Sequence, residues 1–426
     1  MTVDWRSKGF WQPEGSFPEP GRTEPRAGGP ADAVPGPGIF DGGFTWPLMV
    51  VRRAAVEANI VTMAEYCRRH GFDFAPHAKT TMAPALLTAQ LRAGAWGMTV
   101  ATPNQALVMR KLGVERVLIA NQVLDPTVLR WLAAETAAGW QVWFQVDSLT
   151  GVAAAAATGG PLRVLVELGH PGGRTGVRDL DELETVARAV VAAPGLELAG
   201  VTGYEGQLRT SAEVDTYLDR LVAGVTRLSR SNPVEGRSAE TRQAGGPSGG
   251  PGLLPPRPIV SAGGSAWFDR VADHLAEIDI PARLILRSGA SLTHDDGFYR
   301  ERTPFVRVPS EGPLTAAVEI WAQVLSAPEP GLALAGMGKR DAPFDEGLPV
   351  PQEIRRPDGT LEPATGLTVT KLNDHHTYLA VTGPAVNPGD LIRFGISHPC
   401  TAFDKWRVIP LVDDDHRVVD VLHTYF

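Results

Sequence analysis

The sequence predicts an α/β fold, a (β/α)8 barrel followed by a smaller antiparallel β domain, and three observations lead to it. From about residue 48 to about residue 312, short β-branched or aromatic runs alternate with longer helical patterns, which is typical of a parallel sheet. Roughly eight such units in about 250 residues favour a closed barrel over an open sheet, and no Gly-x-Gly-x-x-Gly follows the first strand. Beyond residue 312 the helical patterns stop, and short alternating runs between Gly, Pro and Asp turns indicate antiparallel strands.

The individual elements can be assigned in chain order. The first helical pattern covers Ala54–Gly71, and similar patterns separate the later strands. The runs that predict strands of the barrel are "PLMVVRR", "FAPHAK", "WGMTVAT", "RVLIANQV", "QVWFQVDS", "LRVLVELG", "LAGVTGYEG", "PIVSAGG" and "ARLILRSG". Those that predict the β domain are "TAAVEIWAQVLSAP", "GLALAGMG", "GLTVTKLND", "HTYLAVTG", "DLIRFGIS" and "RVIPLVDD".

This pattern divides the chain into three segments. Residues 1–45 are rich in Pro and Gly and are expected to pack on the β domain as an N-terminal extension. Residues 46–312 would form the barrel, and residues 313–426 the C-terminal β domain. The Gly-, Pro- and Ser-rich segment 230–257 interrupts the barrel, and we expect a flexible surface insertion there, with a lid over an active site as the alternative.

Composition excludes several classes of protein. Of 426 residues, 43% are hydrophobic and 21% charged, and the net charge of −8 is spread along the chain without the basic cluster that nucleic acid binding needs. No apolar run approaches the roughly 20 residues that cross a bilayer, and the N-terminus is too polar for a secretory signal. Only two cysteines occur, Cys67 and Cys400, too few for a disulfide framework, although they could pair with each other. We therefore expect a cytoplasmic protein with reduced thiols.

One lysine, Lys79, stands alone in the apolar or neutral stretch "FAPHAKTTMAP". A lysine without polar neighbours is poorly hydrated, and its ammonium group loses affinity for its proton. It also follows a predicted barrel strand, at the end where barrel enzymes have their active sites. Lys79 is therefore a candidate for Schiff-base chemistry with an aldehyde cofactor such as pyridoxal 5′-phosphate (PLP). A buried lysine paired with a carboxylate is the alternative.

A phosphate-binding cradle is predicted after two late strands. "IVSAGGSAWFD" places Ser261, Gly263 and Gly264 between a strand and a helix, where backbone amides and the helix dipole favour a phosphate. "LRSGASLTHDDG" adds Ser288 and Gly289 after the next strand, and barrels often bind phosphate with the loops after their last two strands. Ordinary tight turns are the alternative for each glycine pair.

Two further strand ends carry candidates for contacts with a cofactor ring. Arg174 lies in the glycine-rich exit "VELGHPGGRTGVR", where its guanidinium could hydrogen-bond a phenolate oxygen. Tyr204 in "GVTGYEGQL" could pack against an aromatic ring. A surface arginine and a half-buried tyrosine are the alternatives.

A candidate metal site lies in the β domain, in "GISHPCTAFDKWR". His398 and Cys400 are two residues apart, so on an extended strand both side chains would project to one face. Imidazole and thiolate are preferred ligands of zinc, and a site with only two protein ligands would keep positions open for substrate. An incidental His and Cys in a strand is the alternative.

These motifs together resemble the D-serine dehydratase/D-threonine aldolase family, fold-type III PLP enzymes with an alanine-racemase-like barrel. The resemblance rests on "PHAKTTMAP", "GRTG", "TGYEGQ", "SAGGSAWFD", "RSGASLTHDDGFY", "APEPGLALAGMGKRD", "LNDHHTYL" and "SHPCTAFDKW", in the family's order. It implies that Lys79 is the Schiff-base lysine and that His398 and Cys400 bind Zn²⁺ or another divalent metal. It also implies D-amino acid substrates and a homodimer. His-x-Cys resembles the zinc-dependent, eukaryotic-type D-serine dehydratase, or an "amino acid deaminase" branch, whereas aldolase members tend to show His-x-Asp.

The resulting hypothesis is β-elimination from a D-3-hydroxy amino acid, D-serine first, to give pyruvate and ammonia. Lys79 would remove the α-proton, and the metal would stabilise the departing hydroxyl as a Lewis acid. The first rival is aldol cleavage of D-threonine, which the same two ligands can serve. An amino acid racemase and a non-catalytic PLP carrier are further rivals, and neither has a use for the metal pair.

Overall fold

The computed structural model describes residues 8–9, 36–230 and 252–426. Most of the expected N-terminal extension and of the expected 230–257 insertion lies outside the described residues. The chain divides into two compact units. The barrel unit comprises Ala64–His77 and Gly94–Ser288, and the β unit comprises Met1–Met63, Ala78–Ala93 and Gly289–Phe426. Within the described ranges, no helix is both long and apolar enough to cross a membrane.

Strands and helices are numbered along the chain. The strands are β1 (Leu48–Arg52), β2 (Asp73–Phe74), β3 (Met98–Val100), β4 (Arg116–Gln122), β5 (Gln141–Val146), β6 (Leu162–Leu168), β7 (Leu196–Gly203), β8 (Ile259–Ala262), β9 (Arg283–Leu286), β10 (Val318–Glu329), β11 (Leu332–Ala335), β12 (Val350–Arg355), β13 (Leu361–Pro363), β14 (Leu367–Leu372), β15 (Thr377–Val381), β16 (Leu391–Gly395), β17 (Val408–Val412) and β18 (Val418–His423). The helices are α1 (Arg53–Arg69), α2 (Pro84–Arg92), α3 (Pro103–Lys111), α4 (Pro126–Ala137), α5 (Leu149–Ala156), α6 (Leu180–Ala192), α7 (Ser211–Ser229), α8 (Phe268–Leu275), α9 (Phe298–Arg302) and α10 (Pro304–Arg307).

The barrel unit contains the predicted parallel sheet. Its strands follow the order β2-β9-β8-β7-β6-β5-β4-β3, and each neighbouring pair is parallel. The two ends of this order meet, because His77 bridges Thr99 and the Trp96 amide donates to the Phe74 carbonyl over 2.7 Å. The sheet is thus curled into a barrel, which confirms the predicted fold class.

Local sequence signals explain where the barrel helices begin. Thr102 and Asp125 accept hydrogen bonds from the first-turn amides of α3 and α4, and each is followed by a proline in the first turn. Thr210 and Glu213 form a reciprocal capping box at the start of α7. These helices therefore begin at defined residues, and this sets the length of the loop between each of them and the preceding strand.

The β unit is built on a mainly antiparallel sheet in the order β13-β12-β16-β10-β1-β17-β18, to which β11, β15 and β14 are added through β10. Its core includes the fully buried side chains of Trp321, Phe394, Phe403 and Trp406. The predicted C-terminal β domain is therefore present.

One strand lies in a different sheet from the one expected. "PLMVVRR" was assigned to the barrel, but β1 pairs antiparallel with β10 and parallel with β17 in the β unit. Its run is buried on both faces, and such a run is compatible with either sheet. The β unit also takes the segments Ala78–Ala93 and Gly289–Arg307, so Lys79 belongs to the same unit as His398 and Cys400.

Candidate active site

Lys79 lies in a single 3-10 turn, Ala78–Thr80, that follows the end of β2 by a few residues. Ala78 and Thr80 are buried, and Lys79 itself is half-buried. The turn leads into helix α2 at Pro84, and the Tyr425 amide donates to the Met82 carbonyl over 3.0 Å, so the end of the chain holds it in place. Lys79 therefore lies in a segment that a backbone hydrogen bond joins to the last residues of the β unit.

The predicted metal pair is close together, although by a different geometry. β16 ends at Gly395; His398 is extended, but Pro399–Thr401 is a 3-10 turn. The two side chains therefore do not share the face of a strand, as the spacing predicted, because Pro399 begins a turn there. The turn nevertheless places His398 and Cys400 close enough for each to shift the pKa of the other.

Lys79 and Thr80 complete this cluster. The hydroxyl of Thr80 lies 3.3 Å from the Cys400 sulfur, and the charge of Lys79 acts on the same thiol. The β unit thus brings together Lys79, His398 and Cys400, three residues predicted from distant parts of the sequence. Both cysteines are free, so Cys400 is available as a thiol or thiolate.

Electrostatics in the cluster favour the thiolate. Burial alone would raise the pKa of the Cys400 thiol, but the His398 imidazole and then the Lys79 ammonium lower it. Burial would likewise lower the pKa of His398, but Cys400 and then Asp345 raise it to about 9. The thiolate is the form that binds metal ions.

Two residues of the cluster were not predicted. Asp345, in the loop between β11 and β12, receives a 2.7 Å hydrogen bond from Nδ1 of His398. The Thr401 hydroxyl donates to the other carboxylate oxygen over 2.8 Å. Although burial opposes it, these two hydrogen bonds lower the pKa of Asp345. The carboxylate is therefore ionised and fixed behind the imidazole.

Aromatic rings line one side of His398. The ring centroids of Phe298 and Tyr299 lie 6.4 Å and 6.2 Å from that of the imidazole. Asp295 holds this segment, since one of its carboxylate oxygens accepts from the amides of Gly297, Tyr299 and Arg300. The β unit thus supplies both reactive groups and a wall beside them.

The residues present fit a divalent metal with open positions. Imidazole nitrogen and thiolate sulfur are zinc donors, and a carboxylate behind a ligating histidine is usual in zinc sites. Among the residues that the structure describes, no group of three or more His, Cys, Asp and Glu side chains could hold a metal ion. A metal at the predicted pair would therefore have two protein ligands, His398 and Cys400.

In the barrel unit, the predicted cofactor contacts lie at the carboxyl ends of neighbouring strands. Strand pairing aligns Leu168 with Gly203 and Ala262 with Leu286, so the loops after β6, β7, β8 and β9 emerge at one end. The hydroxyls of Ser265 and Ser288 are 3.0 Å apart there, just before helix α8. A hydroxyl pair beside a helix N-terminus fits a phosphate.

The two cradle glycines have a different partner in the structure. The amides of Gly263 and Gly264 donate to the Glu205 carboxylate over 3.1 Å and 2.6 Å. Gly263 has a φ of +98°, a conformation that favours glycine, and an added Cβ would meet the Leu286 side chain. Glu205 is completely buried and lies two residues beyond the end of β7, and it takes the donors that the sequence suggested for phosphate.

Ser261 belongs to a buried charge network rather than to the hydroxyl pair. Its hydroxyl donates to the Ile285 carbonyl and accepts from the Arg287 guanidinium over 2.9 Å. Arg287 also donates to the Gly203 carbonyl over 2.7 Å. Burial lowers the pKa of Arg287, and the charges of Glu205 and Glu167 oppose this. Ser261 therefore helps to position Arg287.

Arg174 and Tyr204 are in contact with each other. The guanidinium lies 4.6 Å from the centroid of the Tyr204 ring, and the Tyr204 amide donates to the Tyr217 hydroxyl over 2.9 Å. Arg174 is exposed and Tyr204 half-buried, so both can contact a ligand ring. Gly289 is the remaining predicted residue; it lies in the β unit and precedes a 3-10 turn, Ala290–Leu292.

Two family models match the chain. The model described as "Alanine racemase, N-terminal domain" matches residues 51–241, and the one described as "Putative serine dehydratase domain" matches residues 317–412. The first match begins in β1, and the second covers most of the β unit's sheet, including His398 and Cys400.

Curated relatives match over most of their length. The chain is 26% identical to a D-threonine aldolase of an Arthrobacter species over 382 residues, 86% of this chain and 89% of the aldolase. It is also 26% identical to a 3-hydroxy-D-aspartate aldolase of Paracoccus denitrificans over 323 residues, 74% of this chain and 77% of that protein.

Solved structures show the same fold. A D-threonine aldolase from Filomicrobium marinum superposes with a TM-score of 0.71 at 23% identity and covers 92% of this chain and 98% of its own. A D-threo-3-hydroxyaspartate dehydratase from Delftia sp. HT23 gives 0.68 at 21% identity, over 89% and 97%. Variants of such a dehydratase carry alanine at a histidine or at a cysteine two positions later, and the cysteine variant is in a metal-free form.

Proposed function

Because this chain belongs to the fold-type III PLP lyases that join an alanine-racemase-like N-terminal domain to a serine dehydratase domain, we propose that it eliminates water from a D-3-hydroxy amino acid. D-serine, which would give pyruvate and ammonia, is the first substrate we assign. The observation that supports this most is the cluster of His398, Cys400 and Lys79 in the β unit, where His398 and Lys79 both lower the pKa of the Cys400 thiol. The spacing of His398 and Cys400 equals that of the histidine and cysteine substituted in the dehydratase variants.

The cofactor contacts can be assigned residue by residue. Lys79 would bind the aldehyde of PLP, and Ser265 and Ser288 would hold its phosphate, because the amides of Gly263 and Gly264 already donate to Glu205. Tyr204 and Arg174 would contact the ring and its phenolate oxygen. When bound, PLP supplies an electron sink for the α-carbon.

The reaction requires one proton to leave the α-carbon and a hydroxyl to leave the β-carbon. The amine of Lys79, once released from the aldehyde, would take the α-proton as general base. His398 and Cys400 would hold Zn²⁺ or another divalent ion, which supplies Lewis acidity for the β-oxygen. The released enamine would then hydrolyse to the 2-oxo acid and ammonia. The homodimer that the resemblance implies and the cytoplasmic location expected from the sequence also remain proposals.

A second candidate is aldol cleavage of D-threonine or 3-hydroxy-D-aspartate. It is favoured by the two curated relatives at 26% identity, both of which are named as aldolases. There the same metal would favour deprotonation of the β-hydroxyl rather than its loss. The His-x-Cys pair favours elimination, because the resemblance associates aldolases with His-x-Asp.

A product assay separates the two candidates. The purified enzyme is given D-serine, D-threonine and 3-hydroxy-D-aspartate, with the L-isomers as controls, and 2-oxo acid, ammonia, glycine and aldehyde are measured. Elimination gives equal amounts of 2-oxo acid and ammonia, and chelation by EDTA should abolish it. Glycine and aldehyde in equal amounts would establish the aldolase instead, and activity that survives metal removal would refute the role given to His398 and Cys400.

A further inference from the structure

Asp345 belongs to the cluster around His398, but the proposed function gives it no role. Its two carboxylate oxygens have different partners: Oδ2 faces Nδ1 of His398 at 2.7 Å, and Oδ1 accepts from the Thr401 hydroxyl at 2.8 Å. His398 precedes the turn Pro399–Thr401 and Thr401 is its last residue, so one carboxylate spans the turn that carries Cys400.

In the neutral imidazole that a metal ion requires, the contact determines which nitrogen carries the hydrogen. An ionised carboxylate can only accept, so the Nδ1 atom that faces Asp345 must be the donor. The lone pair of a neutral imidazole then resides on Nε2, the nitrogen that remains for a metal ion. Asp345 thereby orients the ring, and Thr401 prevents the carboxylate from rotating away.

Exposure distinguishes Asp345 from a residue needed for folding. Its side chain is 44% exposed, whereas that of His398 is 18% exposed, so the carboxylate lies on the outer side of the imidazole. An exposed ion pair contributes only about 0–1 kcal/mol to stability. The contact is therefore better explained by what it does to the imidazole than by what it adds to the fold.

We propose that Asp345 is a positioning residue that holds His398 in the tautomer and orientation required of a metal ligand, with Thr401 as its support. This inference rests on the metal site of the proposed function, and it adds a residue of the loop between β11 and β12 to that site. Carboxylates in this position typically raise metal affinity by about 10- to 100-fold.

Cobalt(II) provides a direct test, because a cysteine ligand produces a thiolate-to-cobalt charge-transfer band. The metal-depleted full-length protein is titrated with Co²⁺ in wild-type, Asp345→Asn and Thr401→Val forms. Glu346→Gln is the matched control, since it removes the same charge from the next, exposed residue. We expect Asp345→Asn to weaken Co²⁺ binding about 10- to 100-fold, Thr401→Val several-fold, and Glu346→Gln not at all.

A second readout separates positioning from a structural defect. Asp345→Asn should reach the wild-type charge-transfer band at saturating Co²⁺, and its lyase activity should recover as the metal concentration rises. A misfolded Asp345→Asn variant would recover neither the band nor the activity. In that case the inference is tested by Thr401→Val, which keeps the carboxylate.

The outcomes are distinguishable. If wild-type protein shows the band and both variants bind Co²⁺ with wild-type affinity, the inference on Asp345 is overturned, and the proposed function stands. If wild-type protein itself shows no thiolate-to-cobalt band, the metal assignment of the proposed function fails and the inference fails with it.

Discussion

The charged clusters described in the two units differ in how deeply they are buried. In the barrel unit, Arg287 is buried, its guanidinium donates to Ser261 and Gly203, and Glu205 is held by two backbone amides. In the β unit, His398 and Cys400 are half-buried and shift each other's pKa, with the Lys79 charge nearby. Charges whose partners are all internal fix a shape, whereas charges left at a half-buried surface can exchange protons and bind ligands. Substitutions in the two units should therefore fail in different ways.

The largest expected effect is on catalysis, from Lys79. Lys79→Ala should lower the rate of 2-oxo acid formation by at least about 10³-fold, because no other group is assigned to take the α-proton. Lys79→Arg keeps the positive charge beside Cys400 and should lose a similar factor, since a guanidinium does not act as a base. Both variants should keep the wild-type thermal midpoint within a few degrees. A Lys79→Ala enzyme within tenfold of the wild-type rate would exclude this role, as would borohydride reduction that leaves no pyridoxyl group on Lys79.

The corresponding substitution in the barrel unit should act on stability. Arg287→Ala leaves Glu205 and Glu167 without their buried countercharge, and removing one partner of such a network costs about 3–5 kcal/mol of the free energy of unfolding. Arg270→Ala is the control, because that guanidinium is 32% exposed and pairs with Asp215 at 2.7 Å. A half-buried pair that solvent still reaches should contribute only about 0–1 kcal/mol. If denaturant unfolding shows that Arg287→Ala and Arg270→Ala lower the free energy of unfolding equally, the distinction between the units is contradicted.

The β unit also contains a buried acid, Asp295, and there too burial predicts an effect on stability, one that depends on pH. Burial, with a smaller contribution from Asp296, raises the pKa of Asp295 to about 7 against three backbone hydrogen bonds. An unfolded aspartate releases its proton near pH 3.9, so between about pH 4 and about pH 7 the folded state binds the extra proton. The contribution of Asp295 to stability is therefore full below that window and is lost as pH rises through it.

Asp295→Asn removes this dependence while it keeps an acceptor for the three amides. Its free energy of unfolding, relative to wild type, should increase with pH by at most about 4 kcal/mol across the window. Asp358→Asn should shift stability in the opposite sense, because hydrogen bonds from Thr360 lower the pKa of that exposed carboxyl. A pH-independent difference for Asp295→Asn would show that its carboxyl ionises as it does in the unfolded chain.

The sequence identified the residues whose chemistry is rare in their surroundings. Lys79 was recognisable because it is the one amine in an apolar stretch, and His398 and Cys400 because of their spacing. Asp345 was not recognisable, since it is one of 48 acidic residues in the chain and its loop carries no local signal. Its role depends on a contact with His398, 53 residues further along the chain. Glu205 was missed for the same reason. The barrel rhythm was also readable, but the sheet to which β1 belongs was not, because a run buried on both faces fits either sheet.

The smallest expected effect concerns serines of neighbouring segments, which differ in their hydrogen-bond partners. Ser265 and Ser288 form the hydroxyl pair assigned to phosphate, whereas the Ser261 hydroxyl is directed to Arg287 and Ile285. Ser265→Ala and Ser288→Ala should each weaken PLP binding about tenfold, the value of one hydrogen bond to a charged group, with little change in the free energy of unfolding.

Ser261→Ala should do the reverse. It leaves one guanidinium hydrogen bond unmade inside the barrel, so stability should fall by about 1–3 kcal/mol while PLP affinity stays near wild type. Titration of the cofactor-depleted protein with PLP and denaturant unfolding provide the two measurements for each variant. If Ser261→Ala weakens PLP binding as much as Ser265→Ala does, the phosphate contacts the strand end itself, and the glycine amides would have to leave Glu205 when the cofactor binds.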